Sequence, residues 1–194
     1  MGEKSLQKKK FILETARKVF MEKGYKRVTM KDIVEACDIS RGGLYLYFNG
    51  TDEIFMEVLK MESEEADDLF SGSIKEDSSI TDILTLFLQE QKKELLCKNS
   101  NLVQATYEFY FENNLPKKDN ILKNQFDTAV LIIQKLIEDG VENGEFYCED
   151  CEGTARNIMY VIEGLKISAQ TIGVTEKSVD REIKYLLQGL GVEI

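Results

Sequence analysis

Apolar residues recur along nearly the whole chain at the three- and four-residue spacing of amphipathic helices, and nowhere do they alternate as a half-buried strand requires. In the first such stretch Ile12, Ala16, Val19 and Phe20 share a face, and Lys23-Gly24 places a cation and then a glycine where a helix ends. Thr29-Met30-Lys31-Asp32 has the form of a capping box and predicts a helix of about two turns, through Ala36. Cys37-Asp38-Ile39-Ser40 then reads as a tight turn, in which Asp38 tolerates a left-handed backbone and Ser40 caps a second short helix carrying Leu44, Tyr45, Tyr47 and Phe48. Asn49-Gly50 breaks that helix, and Thr51 with Asp52 and Glu53 opens the next.

Longer elements follow. The pattern predicts a helix over 51–70, a loop at Ser71-Gly72-Ser73, and a Ser79-capped helix with Ile83, Leu84, Phe87, Leu88 and Leu95 on one face. An aromatic-rich helix over 101–114 stops before Pro116. A helix over 118–143, ended by Gly144, is apolar nearly all round from Ala129 to Ile137 and so predicts a central buried element. Residues 151–172 carry Ile158, Ile162, Leu165, Ala169 and Ile172, and a last helix from Thr175 carries Val179, Ile183, Leu186 and Leu190. The fold expected is all-α, with about nine helices and no internal repeat.

Composition narrows the chemistry. A chain of 194 residues with 43% hydrophobic content can bury a sizeable core, and no apolar run approaches the ~20 residues that span a bilayer. The charged N-terminal stretch does not read as a secretory signal, so no membrane association and a cytoplasmic location are expected. With no histidine the chain has no His-based triad, metal cage or general base, and its four unevenly spaced cysteines do not make a disulfide framework. No catalytic centre, cofactor or metal is predicted, and the chain is not expected to be an enzyme. The net charge of −10 hides a split: residues 1–50 hold 11 Lys and Arg against 6 acids, while the remaining 144 hold 14 against 29. A small basic head on an acidic body points to a polyanion met by the head alone.

Two short helices joined by a tight turn and braced by a longer one make a helix-turn-helix, with Ile33, Val34, Ala36, Ile39, Leu44 and Phe48 spaced to fix the crossing. Gly42-Gly43, each costing roughly 1 kcal/mol within a helix, is either a loop or a place where a backbone approaches DNA closely. The run from Val28 to Val34, continued by Ser40-Arg41-Gly42-Gly43-Leu44-Tyr45-Leu46-Tyr47-Phe48 and preceded by Phe20-Met21-Glu22-Lys23-Gly24-Tyr25, resembles the TetR/AcrR family of bacterial regulators. The specific resemblance spans roughly residues 8–58, with a weaker echo at Gly140 and Gly144-Glu145-Phe146.

The resemblance implies a DNA-binding domain over 1–50 and a helical effector-binding and dimerisation domain over 51–194. Within the first, Thr29 and Lys31 would meet phosphates. Ser40, Arg41, Gly42 and Gly43 would face the major groove, with Arg41 reading guanine, and Tyr45 and Tyr47 would offer hydroxyls to phosphates. Lys8, Lys9 and Lys10 are candidates for flanking phosphates. The chain departs from the usual family pattern at Asp38, where Gly is common, at Gly43, where Thr is common, and at Thr51, where Lys is usual; backbone contacts would then lean on Lys26, Arg27 and Lys31. In the body, Phe87, Gln104, Tyr107, Glu108, Phe111, Phe126 and Tyr160 are candidates to line an effector pocket. The last two helices would pair two copies as a four-helix bundle, with Gly164 permitting close approach. The function implied is a dimeric repressor on a palindromic operator, released by a small lipophilic or aromatic effector. Two other readings stand beside it: a thiol-redox sensor or enzyme built on Cys148 and Cys151, and a DNA-binding regulator that answers to a protein rather than a small molecule.

Overall fold

The computed structural model describes residues 2–73, 77–97, 102–113, 115–116 and 120–193, with backbone alone over 65–73. Among the described residues there are nine helices and no strand: α1 (Glu3–Lys23), α2 (Met30–Cys37), α3 (Arg41–Tyr45), α4 (Thr51–Ser73), α5 (Ile80–Leu96), α6 (Val103–Glu112), α7 (Ile121–Glu142), α8 (Cys151–Thr171) and α9 (Glu176–Gly189). The chain gathers into two compact units, Met1–Asp68 with Asn99–Pro116, and Leu69–Lys98 with Lys117–Ile194.

The first unit is built on an aromatic centre. Phe20, Phe55 and Phe109 are buried, with the Phe20 and Phe55 rings edge-on at 4.7 Å, Phe55 and Phe109 at 5.2 Å, and Tyr25 edge-on to Phe109 at 4.9 Å. Edge-on rings add to plain burial because the positive edge of one meets the negative face of the next. Ile12, Ala16, Ile33, Leu44 and Phe48 complete this core. Ala36 does not join it: it is exposed, and Cys37, 4% exposed, takes the inward position. The helix runs one residue further than the pattern suggested, and its inward face follows the four-residue step from Ile33 to Cys37.

In the second unit α7 packs on α8, and α5 packs on α7, α8 and α9. Leu84, Leu88, Ile133, Ile137, Ile158, Ile162, Val179 and Leu190 fill its centre. Gly140 is where the chain after α7 folds back: the Glu145 and Phe146 amides both donate to the Gly140 carbonyl, at 2.8 and 3.0 Å, and a Cβ on Gly140 would lie 2.2 Å from the Phe146 ring. Glu145 then caps α5, accepting from the Ile80 and Thr81 amides and the Thr81 hydroxyl at 3.2, 2.9 and 2.8 Å.

Three further expectations are corrected. Ser71-Gly72-Ser73 is helical, since a single glycine with no proline behind it lowers helix stability without ending it. The stretch from Ala129 to Ile137 is not buried all round; Val130, Ile133 and Ile137 form an inward stripe while Leu131 and Ile132 are 66% and 53% exposed. Ile172, expected on the inner face of α8, caps its end and is 85% exposed. Among the described residues no helix is long and apolar enough to cross a membrane.

Replacing Gly140 by Ala should destabilise the protein by about 1–3 kcal/mol, because the added methyl has nowhere to go but the Phe146 ring. Urea unfolding of wild type and variant checks this, and an unchanged midpoint would contradict the packing described.

Candidate nucleic-acid interface

A helix of five residues cannot hold itself in water, so α3 must be held by its ends and its inner face. At one end Asp38 adopts the left-handed conformation (φ 51°, ψ 47°), and the Ile39 amide reaches back to the Val34 carbonyl at 3.3 Å. Ser40 caps α3 by accepting the Gly43 amide at 3.1 Å. Leu44 and Phe48, 0% and 1% exposed, anchor the inner face. Ser40, Arg41, Gly42 and Tyr45 lie on the exposed face, and Gly43 is half-buried. Gly42 and Gly43 are therefore helical and not a loop. Among the described residues a Cβ on Gly42 would meet nothing within 4 Å, so no contact among them requires glycine there; one on Gly43 would press on the Ser40 cap at 3.1 Å.

α2 begins with the predicted capping box. The Thr29 hydroxyl donates to Asp32 Oδ2 at 2.5 Å and accepts the Asp32 amide at 3.3 Å, while the Thr29 amide donates to Asp32 Oδ2 at 2.8 Å. Lys23 closes the group, its ammonium 2.6 Å from Asp32 Oδ1. The Lys23 ammonium, with the Thr29 hydroxyl and amide behind it, holds the Asp32 carboxyl far below the usual carboxylate range. The Thr29 hydroxyl is spent within the cap.

The positive charge of the head is unevenly available. Lys9 pairs with Glu57 at 2.7 Å and sits 5.6 Å from the centre of the Phe48 ring, Arg17 pairs with Glu62, and Lys26 pairs with Glu112 at 2.9 Å. Lys10 and Lys31 make looser pairs along their own helices, at 3.8 and 3.6 Å. Arg41 is exposed and has no ion-pair partner among the described residues. At the far side of α3 the Tyr47 hydroxyl accepts from Ser5 at 3.4 Å, which brings the first turn of α1 beside it.

One contact in this unit has no local signal in the sequence. Glu108 on α6 accepts the Lys26 amide at 3.0 Å across 82 residues of chain, and Gln104 donates to it at 2.7 Å. Burial pushes the Glu108 carboxyl up, but the Lys26 and Tyr25 amides and Gln104 outweigh it and hold it below its ordinary value. Gly24 (φ 73°) lies beneath, where a Cβ would meet Glu108 Oε2 at 2.7 Å. The turn between α1 and α2 is thus fastened by a carboxylate that the sequence offers only as one acid among 35.

Residues 12–58 match the family described as "Bacterial regulatory proteins, tetR family", and residues 83–180 match "Tetracyclin repressor-like, C-terminal domain". The chain belongs to the TetR family of transcriptional regulators. The HTH-type transcriptional regulator YfiR of Bacillus subtilis is 31% identical over 138 residues, which cover 70% of this chain and 66% of that protein. QacR of Staphylococcus aureus, also an HTH-type transcriptional regulator, is 23% identical over 186 residues, covering 92% of this chain and 96% of that one. Among solved structures, the fatty acid degradation regulator FadR of Bacillus halodurans shares the fold at a TM-score of 0.73 and 19% identity, over 100% of this chain and 99% of that one.

In this TetR-family chain the residues expected to line an effector pocket fall into both units. Gln104, Tyr107, Glu108 and Phe111 lie on α6 in the first; there Glu108 and Gln104 are committed to the α1–α2 turn, Tyr107 stacks along the helix on Phe111 at 6.2 Å, and Phe111 is 79% exposed. Phe87, Phe126 and Tyr160 lie in the second, where the Phe126 and Tyr160 rings meet at 5.2 Å and Tyr160 is 62% exposed. A void in that unit beside Leu88, Leu95, Ile162 and Ile183 measures about 10 Å³, room for one water at most. Along the outer faces of α8 and α9 runs an open groove of about 360 Å³, lined by Thr154, Asn157, Val161, Glu182, Tyr185 and Gly189 among others. Among the described residues nothing beyond its own helix lies within 4 Å of a Cβ on Gly164 or Gly189.

The folded-state affinity of Asp32 for its proton is lowered, so its ion pair and cap add stability above the unfolded carboxyl range near pH 4, and this is lost as the pH falls toward the folded value. Wild type should exceed Asp32→Asn in denaturant stability at neutral pH, with the gap closing below about pH 4. A gap that is constant with pH would contradict the pairing.

Proposed function

We propose that this protein is a homodimeric, ligand-responsive repressor in which α3 of each copy enters the major groove of a palindromic operator. The observation that carries this reading is the outer face of α3: an exposed Arg41 guanidinium without an internal partner beside Gly42, whose missing side chain no internal contact explains. An unpaired guanidinium on a shelf free of side chains is suited to bidentate contact with guanine at close backbone approach. Residues 1–50 are the reading head and 51–194 the effector-binding and dimerisation body. Lys31 and the start of α2 hold phosphate on one side of α3, and Tyr45 and Tyr47 hold it on the other, with Ser40 and Gly43 at the groove-facing turn.

Dimerisation through α8 and α9 is supported by their outer faces, where Tyr160 and Ile167 of α8 and Tyr185 of α9 are 62%, 43% and 58% exposed and Tyr185 lines the open groove. Exposed large apolar side chains clustered on two adjacent helices are the material of a four-helix interface, and the glycines at 164 and 189 allow backbones to approach. For the effector we retain Phe87 and Phe126, both half-buried against the second unit's core, and Tyr160, whose ring touches Phe126. A small lipophilic or aromatic molecule settling there favours a state in which the two α3 helices no longer match the half-site spacing, and the operator is released. This mode of action uses no catalytic chemistry, in keeping with a chain that has no histidine.

Selection from random duplex DNA should enrich a palindrome with half-sites about 34–36 Å apart. Arg41→Ala should lose about 1–3 kcal/mol of binding and relax preference at one base pair of each half-site, whereas Lys31→Ala should weaken all sequences alike and lower the salt slope by about one. An enriched sequence indifferent to Arg41 would overturn its role. Gly42→Ala should raise fold stability by about 0.5–1 kcal/mol while reducing operator affinity, and a rise in both would show that the glycine does not serve DNA.

A further inference from the structure

We propose that Cys148 and Cys151 form a reversible dithiol–disulfide couple that takes its oxidising equivalents from a hydroperoxide. The pair goes beyond operator reading and does not depend on it. The two cysteines flank Asp150, the N-cap of α8, whose carboxylate accepts the Gly153 amide at 2.8 Å. This cap fixes the first turn with the two thiols as neighbours on either side of it, and Cys148 Sγ lies 3.3 Å from the Thr154 hydroxyl. Both sulfurs are half-buried and packed against the second unit's core, and the chain on the near side is tied down by the Tyr147 amide, 2.8 Å from the Leu190 carbonyl. Among the described residues no group of three or more potential ligands could hold a metal ion. Two neighbouring sulfurs suffice for a disulfide, whereas a structural zinc ion needs four ligands.

The surroundings give the two thiols different parts. Cys148 Sγ has the Thr154 hydroxyl beside it, with either atom able to donate. Burial, then the neighbouring sulfur of Cys148, with Glu138 and Asp150 behind, holds the Cys151 proton in place. The Cys148 thiolate attacks a peroxide oxygen; the O–O bond breaks and the departing hydroxide takes a proton and leaves as water. Cys148 is now a neutral sulfenic acid, so its own charge no longer adds to the burial, Glu138 and Asp150 in holding the Cys151 proton. The Cys151 thiolate attacks the Cys148 sulfur, the S–O bond breaks, and a second water leaves. Two thiols and one peroxide become one disulfide and two waters. A dithiol reductant reverses the step by exchange.

The reduced full-length protein is treated with hydrogen peroxide and digested with trypsin. Both cysteines fall in one peptide, residues 136–156, while the buried Cys37 and the exposed Cys97 fall in others. The proposal expects the 136–156 peptide to lose about 2 Da, to recover on reduction with dithiothreitol, and to do so before the Cys37 and Cys97 peptides are modified. In Cys151→Ser the sulfenic acid on Cys148 should persist and be trapped by dimedone, and Cys148→Ser should react more than tenfold more slowly. Two free thiols in the 136–156 peptide once Cys97 is oxidised, or linkage of these cysteines to another chain in place of each other, would overturn it.

Discussion

The burial of Leu44 and Phe48 is the contact on which the reading head depends. Five helical residues gain too few hydrogen bonds to offset the ordering of their backbone, and two of the five are glycines. What keeps α3 in place is hydrophobic: a leucine and a phenylalanine withdrawn from water, worth about 1.5–3 kcal/mol each by area. The left-handed Asp38 and the Ser40 cap decide the direction in which the helix leaves the turn. With direction and depth set from inside, the outer face is free to carry residues chosen for a partner, and Gly42 and Arg41 are tolerable there only for that reason.

The same division of labour runs through the charges. Four of the eleven basic side chains in residues 1–50 serve the fold: Lys9 and Arg17 join α1 to α4, Lys23 closes the α2 cap, and Lys26 joins α6. Exposed pairs of this kind each add little, and their effect on a nearby polyanion is reduced because a carboxylate sits beside each ammonium. The excess of positive charge in residues 1–50 therefore overstates the field at the surface, and the basic groups with no ion-pair partner among the described residues, Arg41 among them, carry more of it. Glu108 is the opposite case: an acid within the head's own unit whose carboxylate is held by the Lys26 and Tyr25 amides.

Much of this was legible in the sequence because it is local. Capping boxes at Thr29, Ser79 and Thr175, the turn at Asp38, the stop at Gly24 and the helical stripes all rest on residues within a few positions of one another, and the family motif lies in that same stretch. The failures are of other kinds. Periodicity counts apolar residues without knowing how many faces are covered, so Leu131 and Ile132 read as buried when only one side of α7 meets the core. A one-residue change in helix length turned Cys37 inward and Ala36 outward. Of the residues expected around an effector, Gln104 and Glu108 looked like pocket polar groups, but their partners, the amides near Lys26, are tertiary neighbours that no spacing rule reveals.

The central claim is that the outer face of α3, held from within, is the surface that meets DNA. Backbone amide hydrogen exchange of the full-length protein, with and without a duplex obtained by selection, tests it most directly. Protection gained over residues 29–47 and centred on 40–45 is the predicted result. A duplex that binds and leaves the exchange of those amides unchanged would contradict it.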